Sequence, residues 1–226
     1  MLGTIVNTVA VILGGLIGLV AKKGLPERLS DAVFKALGLC TLYIGISGSL
    51  KGENTLILIL SMVLGTLLGE ALDLDKRINR LGEWLESKFQ KKEGGHSIAE
   101  GFVTASLLFC VGAMTIVGAL QSGLSGDHQM LYTKSLLDFV AAIIFASSLG
   151  VGVLFAAAFV LVYQGSIALL AAWVAPLLSD AAVAEMTCAG SVIIIGLGLN
   201  MLGISKFKVM NFVPAIFIPI VLCLFM

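Results

Sequence analysis

The chain has 226 residues, of which 58% are hydrophobic and 12% charged, and its mean hydropathy is +1.06. Soluble domains are about 45–50% apolar and about 25% charged, so this composition excludes a soluble enzyme, a nucleic-acid-binding protein and a disordered regulator. The 14 basic and 14 acidic residues cancel, but 13 of these charges fall between Glu70 and Glu100. The sequence therefore predicts a small all-α polytopic membrane protein.

Apolar runs without charged residues mark the predicted spans, because a charge at the bilayer centre costs about 2.5–3.5 kcal/mol. A transmembrane helix needs about 20 such residues, and the 41-residue run 139–179 is long enough for two. The alternative for this run is a single crossing followed by a re-entrant segment. We predict eight spans, at about 2–20, 33–50, 55–71, 100–120, 135–156, 159–178, 184–203 and 208–226.

The distribution of Lys and Arg predicts the orientation, since cytoplasmic loops carry an excess of these residues. With both termini outside, 12 basic residues lie inside and only Lys51 and Lys134 lie outside. A single crossing of 139–179 would move Lys206 and Lys208 outside and reduce the ratio to 10 against 4. The charge bias therefore favours eight crossings.

One charged segment, residues 73–92, predicts an amphipathic helix that lies on the cytoplasmic surface. Such a helix either couples the protein to a partner or to anionic lipid, or it simply connects two spans. Its apolar residues recur at helical spacing, at Leu74, Ile78, Leu81 and Leu85. A shorter helix is predicted to start at Pro26.

Glycine is abundant, with 26 residues, and many of them lie inside the predicted spans. The pairs Gly14/Gly18 and Gly65/Gly69 have the spacing that allows two helix backbones to approach closely. Residues 38–50 and 190–202 are similar in their glycine and aliphatic pattern, as an inverted repeat would be. Apolar sequences of low complexity also produce such matches.

The chemistry-bearing residues concentrate around the predicted fourth and fifth spans. Asp138 heads an apolar run, and Lys134 lies four residues before it on the same helix face. A carboxylate inside the membrane is a candidate binding group, because it needs a cation, a proton or a basic partner. The alternative is an interfacial ion pair that fixes the depth of the helix.

Other polar or helix-breaking residues are candidates for lining a site, because broken helices form transporter sites near the midplane. Asn211 and Pro214 predict a discontinuous eighth helix, for which an ordinary proline kink is the alternative. The polar candidates are Asp127, Asn7, Asn200, Asn211 and Ser148, and the helix-breaking ones are Pro214, Pro219, Gly150 and Gly152.

The sequence gives no indication of an enzyme, a metal site or a cofactor. It contains no H-E-x-x-H, G-x-S-x-G or P-loop motif. The four cysteines lie in predicted spans without a C-x-x-C pair, so we expect small apolar side chains rather than ligands or disulfides. They are Cys40, Cys110, Cys188 and Cys223.

Several short motifs together identify a family. Three of them are short: residues 3–7 with 10–15, residues 25–28, and residues 64–70. The longest stretch runs from Leu108 to Gly150 and includes Gly126-Asp127 and Lys134-Ser135-x-x-Asp138-Phe139. The last is Asn211-x-x-Pro214-Ala215. Over essentially its whole length the chain resembles the bacterial YqgA/YdfK-type membrane proteins, domain of unknown function 554. This resemblance implies a bacterial inner-membrane protein of a family regarded as candidate transporters. It implies no substrate and no functional residues.

The leading hypothesis from the sequence is a secondary transporter, expected as a homodimer, that moves a small solute or ion with H⁺ or Na⁺ coupling. Its partners would be the lipid bilayer and that solute, with no nucleic acid. An ion channel is a close variant. The alternative from another class is a non-transporting scaffold or sensor that acts through the amphipathic helix 73–92.

Overall fold

The computed structural model describes residues 1–22, 27–89, 97–111 and 113–225. Within these ranges the secondary structure is helical, with short 3₁₀ segments and no strand. The predicted helix start at Pro26 and residues 90–92 of the amphipathic segment lie outside the described residues. The helices are α1 (Leu2–Lys22), α2 (Glu27–Ser49), α3 (Thr55–Leu72), α4 (Leu74–Phe89), α5 (Ile98–Cys110), α6 (Ala113–Leu124), α7 (Gln129–Leu149), α8 (Gly152–Leu169), α9 (Ala171–Val174), α10 (Asp180–Met201), α11 (Val209–Phe212) and α12 (Ile218–Leu222).

Five of the described helices, α1, α3, α7, α8 and α10, are long and apolar enough to cross a membrane. A sixth crossing is formed if α5 and α6 count as one span, which is bent by 62°. The all-α membrane fold is thus confirmed, whereas the count of eight and the inverted repeat stay predictions. Helix α4 covers most of the predicted amphipathic segment, and its position on the membrane surface also stays a prediction.

The boundary inside the long apolar run differs from the predicted one. The predicted spans 135–156 and 159–178 put the boundary at residues 156–159, whereas α7 ends at Leu149 and α8 begins at Gly152. Gly150 has a φ of 80°, a conformation that residues with a Cβ rarely adopt. A Cβ at Gly152 would collide with the Ile98 carbonyl oxygen. Backbone geometry at these two glycines therefore sets the end of the helix.

The segment after α10 is made of short pieces rather than one helix. Helix α11 is followed by a 3₁₀ segment, Val213–Ile216, and then by α12. Pro214 and Pro219 each lie at the start of a new piece, where a missing backbone N–H costs little. Both prolines therefore fall where regular helix ends.

The chain divides into two compact units. The first unit comprises residues 1–35, 79–110 and 114–172. In it α1 packs along α7, and Cβ atoms at Gly14 and Gly18 would collide with the carbonyl oxygens of Phe139 and Ile143. The predicted close approach at this glycine pair thus occurs against the backbone of α7.

The second unit comprises residues 36–78, 111–113 and 173–226. In it α3 packs against the short pieces at the end of the chain, and its glycines Gly65 and Gly69 face the backbones of Ala215 and Asn211. Helix α3 ends at Asp73, whose left-handed φ of 47° directs the chain into α4. Both predicted glycine pairs therefore act as backbone-contact surfaces, each in its own unit.

Candidate functional site

Four buried polar side chains meet in the first unit, where the three longest of its helices pack together. We call Asn7, Lys134, Asp138 and Gln164 the polar cluster. Lys134 Nζ donates to both carboxylate oxygens of Asp138, each at 2.8 Å. Asn7 Nδ2 donates to Asp138 Oδ2 at 3.0 Å and to Gln164 Oε1 at 3.3 Å. The cluster thus links α1, α7 and α8 through side chains alone.

The local sequence places these groups by helix geometry. Lys134 and Asp138 are one turn apart, so they share a face of α7, as the sequence predicts. Asp138 is the tenth of the 21 residues in this helix. A helix of this length is about 30 Å long, close to the thickness of the hydrocarbon core. The carboxylate therefore lies near the middle of a helix that is long enough to cross the membrane.

Burial makes the cluster different from a surface ion pair. The side chains of Lys134 and Asp138 are 9% and 7% exposed, and Asn7 and Gln164 are fully buried. The two charges neutralise each other, which offsets part of the cost of placing them in an apolar environment. Because the pair is within hydrogen-bond distance and desolvated, a change in the charge of either partner is costly.

Two polar atoms of the cluster have no hydrogen-bond partner among the described residues. They are Asn7 Oδ1, an acceptor, and Gln164 Nε2, a donor. Buried polar atoms are nearly always paired with protein or with ordered water. The cluster therefore retains one donor and one acceptor with which it can bind a water molecule or a polar solute.

The remaining predicted site residues lie elsewhere and have other local roles. Asp127 is exposed, and its carboxylate accepts a hydrogen bond from the Gln129 backbone at 3.0 Å. Ser148 is buried on α7, ten residues after Asp138, and its hydroxyl has no partner in the described part of the chain. The structure does not place either of them among the contacts of the polar cluster.

The two other asparagines predicted to line a site, Asn200 and Asn211, belong to the second unit and form hydrogen bonds within it. Asn200 closes the turn after α10, since its side chain contacts the backbone of Phe207 and the hydroxyl of Ser205. Asn211 Oδ1 accepts from the Asp75 backbone N–H at 2.7 Å, at the start of α4. Asn211 Oδ1 thus caps the start of α4, while its Nδ2 is buried without a hydrogen-bond partner among the described residues.

Sequence reasoning missed Gln164 as a site residue. It lies in the predicted span 159–178, and the structure places it inside α8. The available signal was a fully polar amide inside a long apolar run. Such a residue needs a buried partner, just as the buried carboxylate does.

Comparison with known proteins identifies the family. Residues 2–224 match the family described as "Protein of unknown function (DUF554)". The chain belongs to this family.

Two relatives cover nearly the whole chain. The "Uncharacterized membrane protein YdfK" of Bacillus subtilis (strain 168) is 36% identical over 223 residues, which are 97% of this chain and 94% of that protein. The "Uncharacterized protein YqgA" of Escherichia coli (strain K12) is 34% identical over 219 residues, 96% of this chain and 93% of that protein. No solved structure matches the chain significantly. Membership of DUF554 thus agrees with the predicted resemblance and with a membrane protein.

Proposed function

We propose that this protein is a secondary transporter in which a proton bound at Asp138 is coupled to the movement of a small polar solute. The observation that carries the proposal is the hydrogen-bonded ion pair of Lys134 and Asp138, buried at mid-helix and joined to two other helices. Ionisable residues inside membrane helices characteristically belong to ion or proton pathways. The proposed activity is transport rather than catalysis.

The contacts of Asp138 favour a proton over Na⁺ as the coupling ion. Both carboxylate oxygens already accept hydrogen bonds from Lys134, and Oδ2 also accepts one from Asn7. A metal cation prefers several oxygen ligands and would have to displace the ammonium group. Within the described ranges, no three His, Cys, Asp or Glu side chains are grouped to hold a metal ion. A proton needs only one lone pair of the carboxylate.

Protonation of Asp138 changes both the charge and the hydrogen bonds of the cluster. The pair passes from zero net charge to +1, and the neutral carboxyl group attracts Lys134 less strongly. Asn7 then also donates to a weaker acceptor. A buried positive charge in a membrane helix is costly, so the protonated state favours rearrangement, or binding of a solute that compensates the charge. This is how a proton and a solute would be coupled.

The finer assignments made from the sequence belong to this proposal. The orientation with both termini outside is supported by the bias of basic residues, 12 against 2. The inner membrane of a bacterium is proposed from the membrane-protein relative and the apolar helices. A homodimer is proposed with them, and its test is the oligomeric state of the purified protein in lipid nanodiscs.

The first test measures proton exchange at Asp138 without knowledge of the solute. Infrared difference spectra of proteoliposomes, recorded between acidic and alkaline buffer, should contain a carboxyl C=O band. Asp138→Asn should remove this band, because the amide cannot take up the proton. Asp127→Asn is the matched control, since Asp127 is exposed and its capping oxygen is retained. A band that persists in Asp138→Asn would contradict proton binding at this site.

The second test measures transport and separates it from folding. Proteoliposomes that contain a pH-sensitive dye are given gradients of candidate solutes, and solute-driven proton movement is recorded. The double variant Lys134→Met, Asp138→Leu leaves no unpaired charge in the polar cluster, so it should fold and yet show no proton movement. If it moves protons as the wild type does, the ion pair is only structural.

The scaffold alternative predicts a different pattern. Helix α4 is strongly amphipathic, and its Trp84 side chain is 56% exposed. If the protein acts through this helix, a variant with reversed charges on α4 should fail to complement a deletion strain, whereas Asp138→Asn should complement it as the wild type does. The transporter proposal expects the reverse result.

A further inference from the structure

The second unit contains a cleft with a volume of about 320 Å³, beside the start of α3 and the first turns of α10. Its polar wall is formed by Glu53, Asn54 and Glu185, and its apolar wall includes Ile57, Ala181 and Ala184. Pockets that bind small ligands have volumes of about 300–1,000 Å³ and combine apolar walls with a few polar groups. The size and lining of the cleft thus match those of a small-molecule site.

Glu185 is the decisive side chain of this cleft because it is only 3% exposed. Its Oε1 accepts hydrogen bonds from the backbone N–H groups of Glu53 and Asn54, both at 2.7 Å. Its Oε2 is buried and has no hydrogen-bond partner in the described part of the chain. One oxygen therefore fixes the turn before α3, while the capacity of the other to accept a hydrogen bond is unmet.

Oε2 also has no ion-pair partner among the described residues. The ion pairs found there include neither Glu185 nor Glu53. The thiols of Cys188 and Cys223 are the nearby titratable groups. Position 52 is a glycine, and a Cβ there would lie 3.2 Å from Oε2 and 2.6 Å from Cys188 Sγ. A side chain at position 52 would therefore crowd both the oxygen and the thiol.

Charge and shape together define the ligand. Two carboxylates on one wall select a cation, and a buried carboxylate oxygen without a partner strongly favours a charged hydrogen-bond donor. The cleft is also lined by the methyl and methylene groups of Ile57, Ala181 and Ala184, which an alkyl chain can contact and a hydrated metal ion does not use. We propose that the Glu185 cleft binds a small organic cation that has an ammonium group and a short apolar chain. The ammonium group donates to Glu185 Oε2, and the chain lies against Ile57 and the two alanines.

This site is independent of the proposed proton coupling at Asp138, because every residue that forms it belongs to the second unit. Failure of one proposal therefore leaves the other intact.

The test is calorimetric titration of the full-length protein in nanodiscs with butylammonium chloride. Butanol, the neutral analogue of similar size, is titrated in parallel, as are NaCl, KCl and CaCl₂. Glu185→Gln keeps the acceptor for the two backbone N–H groups but removes the charge. We expect butylammonium to bind the wild type and to lose at least about tenfold in affinity in this variant, which corresponds to about 1.4 kcal/mol.

Two further variants keep the outcome interpretable. Asp180→Asn removes an exposed carboxylate of the same helix that does not line the cleft, so it should leave the affinity unchanged. Ala181→Leu fills the apolar wall from an exposed position and should weaken binding even if Glu185→Gln fails to fold. Three results would each overturn the proposal. Butanol could bind as tightly as butylammonium, or Asp180→Asn could lose as much affinity for butylammonium as Glu185→Gln. The third is heat of binding from the inorganic cations with none from butylammonium.

Discussion

Removal of one member of the buried ion pair should destabilise the protein far more than removal of both. At 2.8 Å and an effective dielectric constant of about 20, the Coulomb attraction between Lys134 and Asp138 is about 6 kcal/mol, partly offset by desolvation. Breaking such a buried pair from one side typically costs about 3–5 kcal/mol, because the other charge stays buried without a partner. We expect this cost for Asp138→Leu and again for Lys134→Met. The double variant should lie within about 1 kcal/mol of the wild type, since apolar replacements of a buried pair are often neutral.

The chain provides a matched control for this cycle. Asp31 and Lys35 are also four residues apart and also 2.8 Å apart, but their side chains are 64% and 61% exposed. The same substitutions at this pair should reveal a coupling of only about 0.3–0.5 kcal/mol. Both cycles are measured by steric-trap unfolding in lipid bicelles. A coupling below about 1 kcal/mol at the buried pair would refute the reasoning, because it would show that these charges remain solvated.

Three other predictions concern backbone contacts. Gly18→Ala should lower the free energy of unfolding by about 1–3 kcal/mol, because its Cβ would collide with the Ile143 carbonyl oxygen. Gly165→Ala should instead raise the thermal midpoint of unfolding, because the new Cβ would be 3.8 Å from its nearest neighbour and alanine favours helix by about 1 kcal/mol relative to glycine. An equal loss of stability in Gly18→Ala and Gly165→Ala would contradict this prediction. Asn211→Leu should cost about 1–2 kcal/mol in the same unfolding assay, since it removes the 2.7 Å hydrogen bond to the Asp75 backbone. An unchanged stability would show that this cap is dispensable.

The sequence was most informative where one helix alone determines the contact. The pairing of Lys134 with Asp138 follows from a spacing of four residues, and α1 and α3 begin and end within two residues of their predicted bounds. The partner of Asn7 could not be predicted in this way, because the contact to Asp138 spans 131 residues and depends on how α1 packs against α7.

The same limit explains the other misses. The end of α7 depends on the φ of Gly150, and the sequence around it offers several small residues at which a helix could equally end. Glu185 reads as an ordinary acidic residue near a helix start. Its importance comes from the turn at residues 52–54, more than 130 positions earlier, which occupies one of its oxygens and leaves the other unpaired.

That both charges of the ion pair are on α7 has a mechanical consequence. Rotation or sliding of a neighbouring helix does not separate Lys134 from Asp138, because the two move as one rigid body. Helix α8 is joined to the cluster by one bond between neutral amides, from Asn7 to Gln164 at 3.3 Å, and such a bond contributes only about 0.5–1.5 kcal/mol. Within this cluster, a displacement of α8 therefore breaks only the Asn7–Gln164 bond and does not separate the two charges.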